Sequence, residues 1–142
     1  MTHLRPSFRY FEHEADIGII GEGSSLDSAF EEGAKAMFNV MCDIKQVTPS
    51  KSIEISATAE KDDELFVEWL NQLLAAADMN DMMFSEFKIT KLKNGILEGL
   101  AKGEKLKDKK HKLKTQVKAA TYSNLEVGKK GDLFFAKCVV DV

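Results

Sequence analysis

Three places in the 142-residue chain gather side chains able to do chemistry. The first is Glu12-His13-Glu14-Ala15-Asp16, three carboxylates and an imidazole within five residues. Carboxylate oxygens are ligands of hard cations, so this run is either a cation-binding turn or a solvated acidic one. The second is Val139-Val140-Asp141-Val142, where an apolar strand delivers Asp141 beside a terminal carboxylate. If this strand end meets the Glu12–Asp16 turn, the converging oxygens favour Ca²⁺, Mg²⁺ or Mn²⁺ over zinc or copper. If it does not, Asp141 is an ordinary acid. The third is Lys118, set among small and apolar neighbours in Gln116-Val-Lys-Ala-Ala-Thr-Tyr122. Such a lysine either lines a site or stands on the exposed face of a strand.

The elements that must position these residues are legible as periodicities. Residues 8–13 and 17–20 read as two short strands rich in aromatic and β-branched residues, the second ended by Gly21 and Gly23. Leu26, Phe30, Gly33, Met37, Val40 and Met41 recur at helical spacing behind Ser24-Ser25, predicting a capped helix over about 26–42. Ile53-Glu-Ile-Ser-Ala-Thr58 alternates as a half-buried strand. Asp62-Asp63 open a second helix, about 63–79, with Leu65, Phe66, Trp69, Leu70, Leu73, Leu74 and Ala77 on its apolar face. Lys93-Asn94-Gly95 joins strands at about 84–92 and 96–102, since Asn-Gly between strand-like runs is a strong hairpin signal. Residues 115–122 and 132–140 read as final strands, with a turn at 128–131. A late run of antiparallel strands with two amphipathic helices predicts an α+β fold and one compact domain over 1–142.

Composition narrows the function. A chain of 44% hydrophobic and 30% charged residues suits a soluble globular domain. The absence of a secretory signal or a run long enough to span a bilayer leads to the expectation of a cytoplasmic protein. Cys42 and Cys138 form no CxxC pair and read as buried thiols. Eight lysines between Lys102 and Lys118, against Glu104 and Asp108, give that stretch +6 and leave −9 on the rest of a −3 chain. An acidic body with one basic strip is not the footprint of a general nucleic-acid binder. The strip reads as a mobile, exposed loop that assists encounter with a partner. There is no phosphate loop, no nucleophile elbow and no HExxH. Gly18, Gly21 and Gly23 are turn and packing glycines, and Trp69 belongs to the core.

His13-Glu14-Ala15-Asp16-Ile17-Gly18 resembles the His-Thr-Ala-Asp-Ile-Gly motif of the archease family. So do the segments Gly23-Ser-Ser-Leu-Asp-Ser-Ala-Phe-Glu31, Val67-Glu-Trp-Leu-Asn-Gln-Leu-Leu74, Gly103-Glu-Lys-Leu106, His111-Lys-Leu-Lys114, Val117-Lys-Ala-Ala-Thr-Tyr122 and Leu125-Glu-Val127, in order along nearly the whole chain. Two positions depart from the pattern. Glu14 stands where the family has Thr, adding an anion to the turn, and Ser123 stands where it has His.

The resemblance implies an α+β accessory protein, not an enzyme, that activates an RtcB-type RNA ligase of tRNA splicing by promoting its guanylylation and multiple turnover. It implies a divalent cation, foremost Ca²⁺, held by Asp16, Asp141 and the carboxylate of Val142. His13 and Glu14 would be supporting residues, and Lys118 a functional residue at the partner surface. The alternative is a general chaperone or interaction module for RNA-modifying enzymes. A small metal hydrolase would need a positioned base and a substrate pocket, and neither is legible.

Overall fold

The computed structural model describes residues 5–13, 15–107 and 109–142. Eight strands and two α-helices follow in the order β1 (Ser7–His13), β2 (Asp16–Gly23), α1 (Leu26–Met41), β3 (Lys51–Thr58), α2 (Asp62–Asn80), β4 (Met82–Lys93), β5 (Ile96–Lys105), β6 (Ala119–Ala120), β7 (Glu126–Lys130) and β8 (Leu133–Asp141). A single 3-10 turn, Ile44–Gln46, follows α1. All recorded strand pairs are antiparallel. One sheet runs β1-β2-β8-β6, with β7 also paired to β8; the other runs β3-β5-β4. The α+β expectation is met.

Both helices form where the periodicity places them. The Ser25 hydroxyl accepts the Ser28 N–H at 3.1 Å and caps α1. Asp62, Asp63 and Glu64 fill the first turn of α2, where the helix dipole favours anions, and Asp81 ends it in the left-handed conformation. The helices share one core with both sheets. Phe30 meets Phe66 at 5.0 Å between ring centres, and Phe38 lies 5.4 Å from both Phe84 and Phe87. Trp69 is fully buried with its indole N–H donating to the Phe30 carbonyl at 3.0 Å, so it is core as expected. Cys42 and Cys138 are free, buried thiols, and burial pushes the Cys138 thiol up to about 12. Among the described residues no helix is long and apolar enough to cross a membrane.

Three expectations fail, each for a tertiary reason. Gly21 does not end the second strand; it lies inside β2, which runs on and ends at Gly23. A Cβ on Gly21 would sit 2.1 Å from the Ala29 carbonyl oxygen and 2.3 Å from the Gly33 nitrogen, so this glycine is where α1 presses on the sheet. Residues 115–122 are not a strand except at Ala119–Ala120, because β8 has only a short free stretch left beside β7. The turn expected at 128–131 contains most of β7, and the reversal falls at Gly131, whose φ is +60°. The Asn94-Gly95 hairpin turn is met, with φ of 53° and 74°.

Since the obstacle at Gly21 is the backbone of α1, it cannot rotate away. Gly21→Ala is expected to lower stability by about 1–3 kcal/mol. Urea unfolding checks this as a shift in midpoint with an unchanged slope.

Candidate functional site

The β1–β2 hairpin register closes at His13 opposite Asp16. Glu14 lies outside the described residues. The β2–β8 register begins at Ile17 opposite Val140, so the next step along both strands sets Asp16 against Asp141. Residues directly opposed in an antiparallel pair share a face. On its other side Asp141 is paired with Ala119, and its carbonyl accepts the Lys118 N–H at 2.8 Å. The Val142 N–H donates to Asp16 Oδ1 at 3.4 Å. Thus Asp16, Asp141, Val142 and Lys118, which span the chain from one end to the other, meet at one end of one sheet. The two segments therefore adjoin, through backbone pairing and the Val142 N–H to Asp16 bond.

The electrostatics of this end fit a cation. Asp16 and Asp141 stand one residue beyond the Ile17–Val140 pair, and carboxylates on neighbouring strands repel when close unless positive charge lies near. Half-buried His13 adds an Nδ1 atom that is buried and finds no hydrogen-bond partner among the described residues. A buried polar atom without a partner is uncommon and calls for a ligand or a proton. Oxygen donors with one imidazole suit a hard divalent ion better than a thiophilic one. Among the described residues, however, no three Asp, Glu, His or Cys side chains come together closely enough to hold a metal on their own.

Lys118 stands just before β6, exposed, and is positioned by its neighbours on both sides. Asn71 of α2 clamps Ala120 twice: its Nδ2 donates to the Ala120 carbonyl at 3.1 Å and its Oδ1 accepts the Ala120 N–H at 2.9 Å. Sequence reasoning gave Asn71 no role.

Lys105, Lys107, Lys109, Lys110, Lys112 and Lys114 are exposed as expected, but the strip begins in a strand and is anchored, and Asp108 lies outside the described residues. Lys102 and Lys105 belong to β5, and the rest is tied down by a buried polar knot. His111 is 1% exposed. Its Nδ1 accepts the Lys107 N–H at 2.9 Å, so its Nε2–H is left to face Glu104 Oε2 at 2.9 Å. The same oxygen accepts the Thr48 N–H at 2.8 Å and pairs with the Lys110 ammonium at 2.8 Å. The Lys110 hydrogen bond, with help from Thr48 and His111, holds the Glu104 carboxyl down at about 2, against the pull of burial. Beyond the knot, the N–H groups of Lys114 and Thr115 donate to the Met41 and Val40 carbonyls, docking the chain on the end of α1. Glu104 and His111 are the residues that charge counting overlooked. The signal was an imidazole amid lysines, where a solvated run gains nothing from one.

The fold and site describe an α+β domain with an acidic sheet end fed by both chain ends. The model of the archease protein family matches residues 8–142. An archease of Sulfurisphaera tokodaii is 40% identical over 136 residues, covering 95% of this chain and 98% of that one. The solution structure of a Methanobacterium thermoautotrophicum protein superposes with a TM-score of 0.82 at 33% identity, covering 96% of this chain and 99% of the other. A crystal structure from Thermotoga maritima, described as an archease and possible chaperone, covers both chains fully with a TM-score of 0.58; at 21% identity it shows the shared fold. The chain belongs to the archease family.

The Glu104 knot sets a pH dependence. A carboxyl whose folded pKa is depressed adds stability that is present above its unfolded value, about 4.3, and is lost as pH falls towards about 2. Glu104→Gln is expected to cost about 1.5–3 kcal/mol at neutral pH, with the difference from the parent shrinking below about pH 4. Urea midpoints measured from pH 7 to pH 2 check both parts.

Proposed function

We propose that this protein is an accessory factor that activates an RtcB-type tRNA-splicing RNA ligase in the cytoplasm, promoting the ligase's guanylylation and repeated turnover. Family membership supports the reading. The single observation that carries it is the meeting of Asp16, Asp141 and Lys118 at one sheet end, outside the apolar core. Asp16, Asp141 and the carboxylate of Val142 would hold a divalent cation, Ca²⁺ foremost and Mg²⁺ or Mn²⁺ as alternatives, with His13 close by. Such an ion supplies positive charge next to transferring phosphate oxygens.

The chain's own residues do the remaining work by position. Asp16 anchors Val142 through its backbone N–H and so holds the last residue at the site. Lys118, fixed by its hydrogen bond to Asp141 and by the Asn71 clamp behind it, presents an ammonium at the exposed rim. A fixed ammonium beside a phosphoryl group stabilises developing charge without reorganising. No base or nucleophile with a substrate cavity is needed, which suits a role as activator and not as enzyme. The acidic body disfavours a stable complex with RNA alone. The description of the Thermotoga maritima relative as a possible chaperone favours a second reading, a general interaction module that needs no metal.

Guanylylation of the cognate ligase without RNA tests the proposal. Wild-type protein is expected to accelerate it, and Asp16→Ala or Lys118→Ala to abolish the acceleration while folding normally. Acceleration that appears only with RNA, and follows this protein's own RNA affinity, would refute it. Calcium or manganese is also expected to raise the melting temperature of the wild type, by mass action worth about 2.7 kcal/mol at a hundredfold excess over Kd. The rise should be lost in Asp16→Ala; an equal rise in both would remove the metal site and favour the chaperone reading.

A further inference from the structure

A groove of about 750 Å³ lies behind Lys118, between the C-terminal half of α2, the start of β4 and the segment 113–118. That size is typical of ligand grooves. Met41, Leu74, Met82 and Leu113 supply much of its apolar lining. Leu113 is 56% exposed at the groove. Large apolar side chains left open around a concave surface mark a site that something covers. Methionine is the side chain that adapts best to an irregular partner.

The charges of the groove are segregated. Asp78 and Asp81 stand on the α2–β4 side, and Lys114 and Lys118 on the segment side. The segment wall, residues 113–118, belongs to no helix or strand. The N–H groups of Lys114, Thr115 and Lys118 are used within the protein, whereas its carbonyls accept no hydrogen bond from any described residue. Backbone carbonyls without an internal donor can accept hydrogen bonds from the N–H groups of a bound peptide.

We propose that this groove seats a short, apolar peptide segment of the partner ligase, with a carboxylate facing Lys114 and Lys118 and a basic residue facing Asp78 and Asp81. The opposed charges select the direction in which the segment lies. The inference rests on the ligase reading and deepens it, because Lys118 belongs both to the groove and to the acidic sheet end. A segment held here brings the docked protein's surface to Asp16 and Asp141. Docking and activation then separate: the groove sets how tightly the partner is held, and the sheet end sets what happens once it is held.

Leu113→Asp and Lys114→Glu test this, both being exposed positions whose melting temperatures should match the wild type. Each variant is titrated into the ligase, reading complex formation by fluorescence anisotropy and guanylylation rate. Leu113→Asp should raise both the Kd and the half-activating concentration tenfold or more, with the same plateau rate at saturation. Lys114→Glu should weaken binding mainly at low salt. If the wild type activates and Leu113→Asp does so at the same concentration, the groove is not the docking site and the ligase reading stands. If the wild type binds without activating, the activator reading fails, and a tenfold loss of binding in Leu113→Asp still upholds the groove. If the wild type neither binds nor activates, both fall. If ATP or GTP binds the wild type and the binding is lost in Leu113→Asp, the groove is a nucleotide site and the peptide proposal is overturned.

Discussion

The antiparallel ladder between β2 and β8 is the constraint on which the rest of the structure depends. It runs from Ile17 opposite Val140 to Gly23 opposite Phe134 and so joins the start of the chain to its end. Every other strand of that sheet is added to one of these two: β1 to β2, and β6 and β7 to β8. A slip of one residue would turn Ile19 and Cys138, both fully buried, toward solvent, so the buried face fixes the register. The same register leaves Asp16 and Asp141 opposed. Two acidic residues placed at one sheet end are the kind of local conflict that accompanies function.

A second constraint governs the long connection from β5 to β6. Among the described residues between Leu106 and Lys118 there is no helix or strand, and a charged stretch of this kind has little apolar surface to bury. A buried polar knot takes the place of a core. Glu104 accepts from a backbone amide, an imidazole and an ammonium, so each polar group brought inside is satisfied. Val117, 5% exposed, then anchors the far end. The knot therefore shapes one wall of the groove and delivers Lys118 to Asp141, which links a stability device far from the sheet end to the geometry of the site.

Much of this was legible in the sequence because it is local. Helical spacing from Leu26 to Met41 and from Leu65 to Leu73 placed both helices within a residue or so, since an amphipathic stripe depends only on the 3.6-residue repeat. Asn94-Gly95 fixed a hairpin, since few residues other than these accept positive φ at both turn positions. The acidic turn, the last strand and Lys118 were recognisable as candidates by residue type alone.

Tertiary structure alone decided whether those candidates meet, and where strands stop. Gly21 reads as a chain break until α1 is packed against it, and residues 115–122 read as a strand until β7 takes most of the β8 edge. His111 and Glu104 look like ordinary members of a solvated run, because the partner amides that bury them come from Thr48 and Lys107, one of them 56 residues away from Glu104. Asp16 and Val142 are 126 residues apart, and no periodicity reaches across such a separation. The sequence by itself determined which residues could carry charge, metal or helix. The ladder between β2 and β8 determined that Asp16 and Val142 stand side by side, because only backbone pairing brings two segments so distant in sequence to one sheet end.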